Sequence, residues 1–231
     1  MNRVEHQQAF ILKSQSYKES SVIHQLFSID YGVVSIISKG SKAKISKVGS
    51  VLHPFRKLAV SWVGKSDLKT LTSSEQLGEL STLKGNGLYC GFYVNELILN
   101  LLHKFDDHPL LFEAYQQVIL HLACNSNIEN HLREFEKVLL QEIGYGLQLE
   151  YVADSNDPID SNSDYTYVIG KGVVESSFSS NEQRISGSTL NNLRDNCLAN
   201  RQELNQAKKL MRRLIDFQLD GKILKSRELF V

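Results

Sequence analysis

The chain is poor in the residue patterns on which metal binding and most catalysis rest. Its three cysteines, Cys90, Cys124 and Cys197, lie far apart and form no C-x-x-C pair, which excludes a zinc finger on spacing. Their odd count and apolar neighbours suit buried free thiols in a reducing compartment. None of the seven histidines falls in an H-x-x-x-H or H-E-x-x-H pattern. His103 and His108, with Asp106 and Asp107 between them, are the one His/Asp cluster, and it reads as a polar loop between helices. No G-x-x-x-x-G-K-[ST] is present; Gly64-Lys65-Ser66 matches only its end and lacks the upstream glycine. Gly32-Val33-Val34 is no dinucleotide fingerprint. Residues 153–164 are turn-rich and acidic but lack the glycine and terminal glutamate of a calcium loop. Glu134 and Glu136 point to different faces of a helix and make a poor catalytic pair. The chain has no run of 18 apolar residues, and its first ten residues lack a signal-peptide stretch. The expectation is a soluble, cytoplasmic protein that is not an enzyme and uses no cofactor or metal.

Charge is plentiful but unevenly placed. Residues 1–80 hold eleven Lys and Arg against six Asp and Glu, a net of +5; residues 81–160 hold four against twelve, a net of −8; residues 161–231 hold eleven against eight, a net of +3. A zero overall charge thus hides two basic ends and an acidic middle, which suits different partners on different surfaces. The densest basic stretch, Lys39-Gly40-Ser41-Lys42-Ala43-Lys44-Ile45-Ser46-Lys47, carries four lysines and no acid. Basic side chains spaced by small residues on a loop can follow a phosphate backbone without demanding one geometry.

That loop interrupts a β-rich region. Ala9–Lys13, Val22–Phe27, Val33–Ser38, Phe55–Val63 and Asp67–Thr72 read as short strands punctuated by Asp30-Tyr31-Gly32 and Gly64-Lys65-Ser66 turns. Five short strands with no long helix between them close naturally into an OB-type barrel, and an SH3-like barrel fits the count nearly as well. Tyr17, Tyr31, Phe55 and Trp62 are the candidate base-stacking aromatics, with Trp62 and Phe55 more suited to the core.

After Gly85 the periodicity becomes helical. In Leu88–Lys104 the residues Tyr93, Glu96, Asn100, His103 and Lys104 share a narrow polar arc, and the apolar remainder, Phe92 included, predicts a central bundle helix. Pro109 opens a second helix, and a third runs from Ile128 to Ile143, stopped by Gly144 and Gly146. Glu96 is expected either at the surface or paired with a basic group, Arg133 first. A hairpin, Tyr165–Ile169 with Val173–Ser177, and a short helix, Ser188–Asn196, follow. The last helix, Glu203 to Leu219, sets Leu204, Ala207, Leu210, Met211, Leu214, Ile215 and Phe217 against Lys208, Lys209, Arg212 and Arg213. The fold class is therefore α+β. Residues 1–80 form the barrel, 81–150 a helical bundle, and 151–231 a hairpin and basic helix packed on it.

Several segments match a known pattern when taken in order. They are Ser38-Lys39-Gly40 after the Tyr31-Gly32 turn, Leu52-His53-Pro54-Phe55, and Leu88 to Leu97. Further on come Arg133-Glu134-Phe135-Glu136, Gly144-Tyr145-Gly146, and Gly221 to Leu229. On these segments the chain resembles the RecO family of bacterial DNA repair and recombination mediators, nearly end to end. The resemblance implies an N-terminal OB-fold, binding of single- and double-stranded DNA, and annealing of complementary strands. It also implies partnership with RecR, with the acidic, apolar C-terminal tail of single-stranded-DNA-binding protein, and indirectly with the RecA recombinase, in a nucleoid-associated setting. Some members carry a four-cysteine zinc site after the Gly-Tyr-Gly; here that stretch is Tyr151-Val152-Ala153-Asp154, and the zinc is not carried over. DNA-binding candidates are Lys39, Lys42, Lys44, Lys47, Lys57, Lys65, Lys208 and Lys209; candidates for the partner's tail are Arg212, Arg213, Arg133 and Lys137. The rival readings are an OB-fold scaffold that binds proteins rather than DNA, and a small hydrolase or RNA-modifying enzyme.

Overall fold

The computed structural model describes residues 3–39, 51–78, 82–176 and 184–230. Its elements are β1 (Arg3–Tyr17), β2 (Ser21–Ser28), β3 (Gly32–Ser38), β4 (Lys57–Val63), β5 (Leu68–Gln76), α1 (Gly85–Leu101), α2 (Pro109–Cys124), α3 (Ile128–Glu142), β6 (Asp164–Val168), β7 (Gly172–Glu175), β8 (Ile185–Ser186), α4 (Gly187–Arg194), α5 (Arg201–Leu219) and a terminal 3₁₀ helix, Lys225–Phe230. The chain divides into two compact units, residues 1–126 with 224–231, and residues 127–223. The boundary falls between α2 and α3, and the last residues of the chain return to the first unit.

The first unit is built on a closed barrel in the order β1-β2-β3-β5-β4, with β3 and β5 parallel and the other neighbours antiparallel. This order decides for an OB-fold over an SH3-like barrel. β1 is longer than its apolar core suggests because one strand must serve two neighbours, β2 along its C-terminal part and β4 along its N-terminal part. Register shifts between Ile11 and Lys13 and between Val4 and Gln7 bend it around the barrel. Ala9, Ile11, Leu26, Val34, Ile36, Leu52, Leu58, Val60 and Trp62 fill the interior. Trp62 is thus a core residue, with the exposed Tyr31 set edge-on at 5.5 Å.

Alternation along the strands sends Phe10, Phe27 and Val33 to the outer face, where they form one cross-strand row. This row is buried because α2 covers it: Phe112 and Tyr115 lie 4.9–6.0 Å from the rings of Phe10 and Phe27. Asn95 of α1 donates to the Leu12 carbonyl at 2.9 Å and accepts from the Tyr115 hydroxyl at 2.7 Å, so both buried polar groups are satisfied. Burial pushes the Tyr115 phenol well above its ordinary range.

Phe55 does not belong to β4. It follows Pro54 in a turn with φ of 66°, the proline-then-positive-φ order of a type II turn, where glycine is the usual second residue. A buried ring seated on α1 holds it there: Phe92 is 5.4 Å away, and a Cβ on Gly91 would lie 2.8 Å from the Phe55 ring. The polar arc read for α1 is corrected accordingly. Phe92 is partly exposed and lies beside Phe55, whereas Tyr93 is buried. His103 and Lys104 lie beyond the end of the helix.

The second unit joins α3, α4 and α5 to a small sheet in the order β7-β6-β8. α5 begins with a reciprocal cap: Asn200 accepts from the Glu203 amide at 3.0 Å, and Glu203 accepts from the Ala199 amide at 2.8 Å. Gln206 accepts from Ser186 and Thr189 at the start of α4. Ala207, Leu210, Met211, Leu214 and Ile215 are buried as the periodicity predicts, but Phe217 is 58% exposed and drops out of the buried face. The turn-rich acidic segment is held by Asp160, whose carboxylate accepts from the Asn162 amide at 3.0 Å and the Ser163 hydroxyl at 3.1 Å, lowering its pKa. No helix among the described residues is long and apolar enough to cross a membrane.

Candidate nucleic-acid interface

OB barrels bind strands over β2 and β3 and through the β1–β2 and β4–β5 loops. Here the apolar lower row of the outer face lies under α2, and the rows above it are mixed, polar except for Ile23 and Ile37. Lys13, Gln25 and Ser35 form one row; Gln15, Ile23 and Ile37 form the next; Tyr17 ends the face opposite Ser21. Lys13, Gln15 and Tyr17 are exposed, and Ile23, Gln25, Ser35 and Ile37 are half-buried. All of residues 13–20 are exposed, so the β1–β2 hairpin tip stands clear. At the tip Lys18 adopts φ of 51° and carries its ammonium to 5.5 Å from the centre of the Tyr17 ring.

The inner side of the same hairpin is closed by a polar bridge. His24 receives Ser14 Oγ at 2.8 Å on Nδ1 and meets Ser38 Oγ at 2.9 Å through Nε2. Ser38 Oγ also lies within donating distance of the Val22 carbonyl, at 3.3 Å. The ring is thus bridged through both of its nitrogens. Burial lowers its pKa from 6.5 to about 4.

The candidate lysines occupy distinct places. Lys39 is exposed just after β3, Lys65 is exposed in the β4–β5 turn, and Lys57 is half-buried at the start of β4. Lys42, Lys44 and Lys47 lie outside the described residues. Lys208 and Lys209 are exposed on α5, with Lys208 3.8 Å from Glu129. The barrel lysines and the α5 lysines belong to different units.

The candidates for the partner's tail separate sharply. Arg212 is exposed, 3.9 Å from Asp216. Arg213 donates to the Tyr167 carbonyl and so ties α5 to β6. Arg133 is buried and paired at 2.5 Å with the buried Glu136 one turn along α3, so it cannot form an exposed rim. Lys137 donates to the Leu193 and Arg194 carbonyls at the end of α4, where an ammonium favourably meets the helix terminus. Partial burial lowers its pKa. Glu96 does not pair with Arg133. Its carboxylate accepts from the Lys225 amide at 2.9 Å and from the Ser226 amide and hydroxyl at 2.8 and 2.6 Å, capping the terminal 3₁₀ helix.

The residues missed at the sequence level are Lys13, Gln15 and Lys18. Their signal was the alternation Lys13, Gln15, Tyr17, which extends the first strand beyond its apolar part. His108 lies 3.6 Å from Asp106. Among the described residues no group of three or more His, Cys, Asp or Glu side chains could hold a metal.

An OB barrel carrying a helical hairpin on one half of its outer face, with lysines on its loops, defines the class: an oligonucleotide-binding-type barrel with helical additions. Residues 1–79 match the family model for the N-terminal part of recombination protein O, and residues 83–228 match that for its C-terminal part. Proteins named DNA repair protein RecO are similar over nearly the whole chain. The one from Nitrosococcus oceani is 40% identical over 228 residues, 98% of this chain and 93% of that protein. The one from Methylococcus capsulatus is 39% identical over 222 residues, 96% and 91%. The one from Nitrosospira multiformis is 39% identical over 230 residues, 98% and 95%. The chain belongs to the recombination protein O family.

Proposed function

We propose that this protein is a recombinational DNA repair mediator that binds single- and double-stranded DNA and anneals complementary strands. It acts with RecR, engages the tail of single-stranded-DNA-binding protein, and opens DNA for RecA loading. The observation that carries this reading is the OB barrel with a polar, lysine-edged half of its outer face left beside the helix-covered half, in a chain of this family. Lys39, Lys42, Lys44, Lys47, Lys57 and Lys65 hold one strand through its phosphates, and Lys208 and Lys209 hold phosphates on the second unit. Two strands held by one protein have a raised effective concentration and a reduced mutual repulsion, which promotes annealing without nucleotide hydrolysis. For the acidic tail, Arg212 is the best-placed cation. Arg213 contributes only by giving up the Tyr167 carbonyl, and Arg133 and Lys137 act as internal supports.

The test is annealing of complementary strands coated with the cognate single-stranded-DNA-binding protein, with and without that protein's C-terminal tail. Acceleration that depends on the tail is expected. No retention on single-stranded DNA at low salt would instead favour a scaffold that binds proteins.

A further inference from the structure

We infer that the terminal segment, from Leu224 into the 3₁₀ helix, is a releasable strap that ties the second unit back to the first, with the Glu96 carboxylate as its catch. The strap rests on the annealing reading and adds what couples the two strand-holding units. The second unit, residues 127–223, is an insertion in the first: the chain enters it after α2 and leaves it into residues 224–231, which belong to the first unit. Both crossings run through left-handed backbone. Asn125 and Asn127, at φ of 52° and 49°, flank the first; Asp220 and Gly221, at 48° and 82°, open the second. The second crossing ties the units only while the returning segment stays docked on α1.

That docking is narrow. From Gly221 to Leu229 only Leu224 and Ser226 are buried and Arg227 is half-buried, whereas Ile223 is 80% exposed. Beyond the seat of Leu224, the hold is concentrated on one side chain. Glu96 accepts from the Lys225 amide at 2.9 Å and from the Ser226 amide and hydroxyl at 2.8 and 2.6 Å. A segment with so few buried apolar contacts opens locally without unfolding the rest. The three bonds share one carboxylate and two adjacent residues, so they break together. A unit tethered at both ends samples less space than one tethered at a single end. The strand that it holds is then more concentrated around the strand on the barrel. Opening the strap therefore slows annealing and spares the binding of either strand.

The experiment uses the full chain with Glu96→Ala or Leu224→Ala, which attack the catch from α1 and the seat from the strap. Brief trypsin treatment under native conditions reads opening by cleavage after Lys225 and Arg227, inside the strap. Both variants are expected to be cut there about tenfold or more faster than the wild type. Hydrogen exchange of the barrel strands and of α5 is expected to stay at the wild-type level, which separates strap release from unfolding. Annealing of naked complementary strands is expected to slow roughly threefold or more, with affinity for each single strand unchanged. Cleavage at the wild-type rate in either variant overturns the strap. Faster cleavage with wild-type annealing overturns its coupling role, as does a loss of annealing matched by a loss of strand affinity. A wild type that binds strands without annealing them removes the annealing reading and the coupling role with it, while the cleavage rates still decide whether the segment is a strap.

Discussion

The Glu96 carboxylate holds Ser226 by both its amide and its hydroxyl, at 2.8 and 2.6 Å, across 130 residues of sequence. It takes the Lys225 amide as well, at 2.9 Å. One carboxylate thereby satisfies the first donors of the terminal 3₁₀ helix, which have no partner within the helix itself. The bond returns the end of the chain to the unit that holds its beginning.

Replacing Glu96 by alanine is expected to destabilise the first unit by about 1–3 kcal/mol, the range for losing charge-assisted hydrogen bonds and a cap. The diagnostic measurement is hydrogen exchange: the amides of Lys225 and Ser226 lose protection while those of the barrel strands keep theirs. Unchanged protection at both amides would show that Leu224, buried beside them, holds the segment alone.

Gly91 and Phe55 make a second pair between distant segments. A methyl at Gly91 would meet Leu83 Cδ1 at 2.5 Å and the Phe55 ring at 2.8 and 3.0 Å. Gly91→Ala is therefore expected to cost about 1–3 kcal/mol by overpacking. In a Phe55→Ala background the same change should cost less, because the ring that it strikes is gone. Equal costs in a double-mutant cycle by urea denaturation would place the clash elsewhere.

These two pairs show how much of the fold the sequence carries. The short strands, the three middle helices, the late hairpin and the basic last helix can all be read from apolar period and turn residues. The strand order cannot, because the β3–β5 pairing depends on barrel closure and no local pattern encodes it. The partner of Glu96 could not be read either, since it binds backbone amides, which nearly every residue possesses. Phe55 reads as the start of a strand because it is aromatic and apolar, but its positive φ is imposed by a seat on α1. Of the candidate site, the exposure of Lys39 and Lys65 followed from their turns. The inward roles of Lys137 and Arg213 depend on tertiary partners, carbonyls 46 to 57 positions away; Arg133 has a local partner, Glu136 at i+3, and what the sequence did not reveal is that both are buried.

The His24 bridge gives a pH dependence with a definite sign. Its folded pKa, about 4, lies below the ordinary 6.5, so between these values the unfolded chain binds more protons. The stability contributed by neutral His24 is whole above pH 6.5 and is lost as the pH falls toward 4. The gap in melting temperature between wild type and His24→Gln should be largest above pH 7 and narrow through this window. A gap that stays constant from pH 7.5 to 4.5 would mean that His24 does not titrate as the bridge requires.

Removing the loop charges should reveal which phosphates the loop holds. With Lys39, Lys42, Lys44 and Lys47 all changed to alanine, single-strand affinity should fall. The slope of log affinity against log salt should flatten by up to about 0.7 for each phosphate that the variant no longer neutralises. Melting is expected to shift by less than about 1 kcal/mol in stability, the size of an ordinary surface-charge contribution. A salt slope equal to that of the wild type would assign the phosphates to other residues.

The α5 surface can be tested without disturbing its packing. Arg213 is a poor choice for charge reversal, because its guanidinium holds the Tyr167 carbonyl and a glutamate there would leave that acceptor unmet. Lys209 and Arg212 are exposed and can be reversed together. If this face receives the acidic tail, Lys209→Glu with Arg212→Glu should weaken binding of the isolated tail peptide at least tenfold, about 1.4 kcal/mol. Annealing of protein-coated strands should then suffer more than annealing of naked ones. If the face serves phosphates instead, tail binding stays at the wild-type level while DNA affinity and its salt slope both fall. Calorimetry with the peptide, run beside a salt titration with DNA, separates the two because each outcome moves one measurement and spares the other.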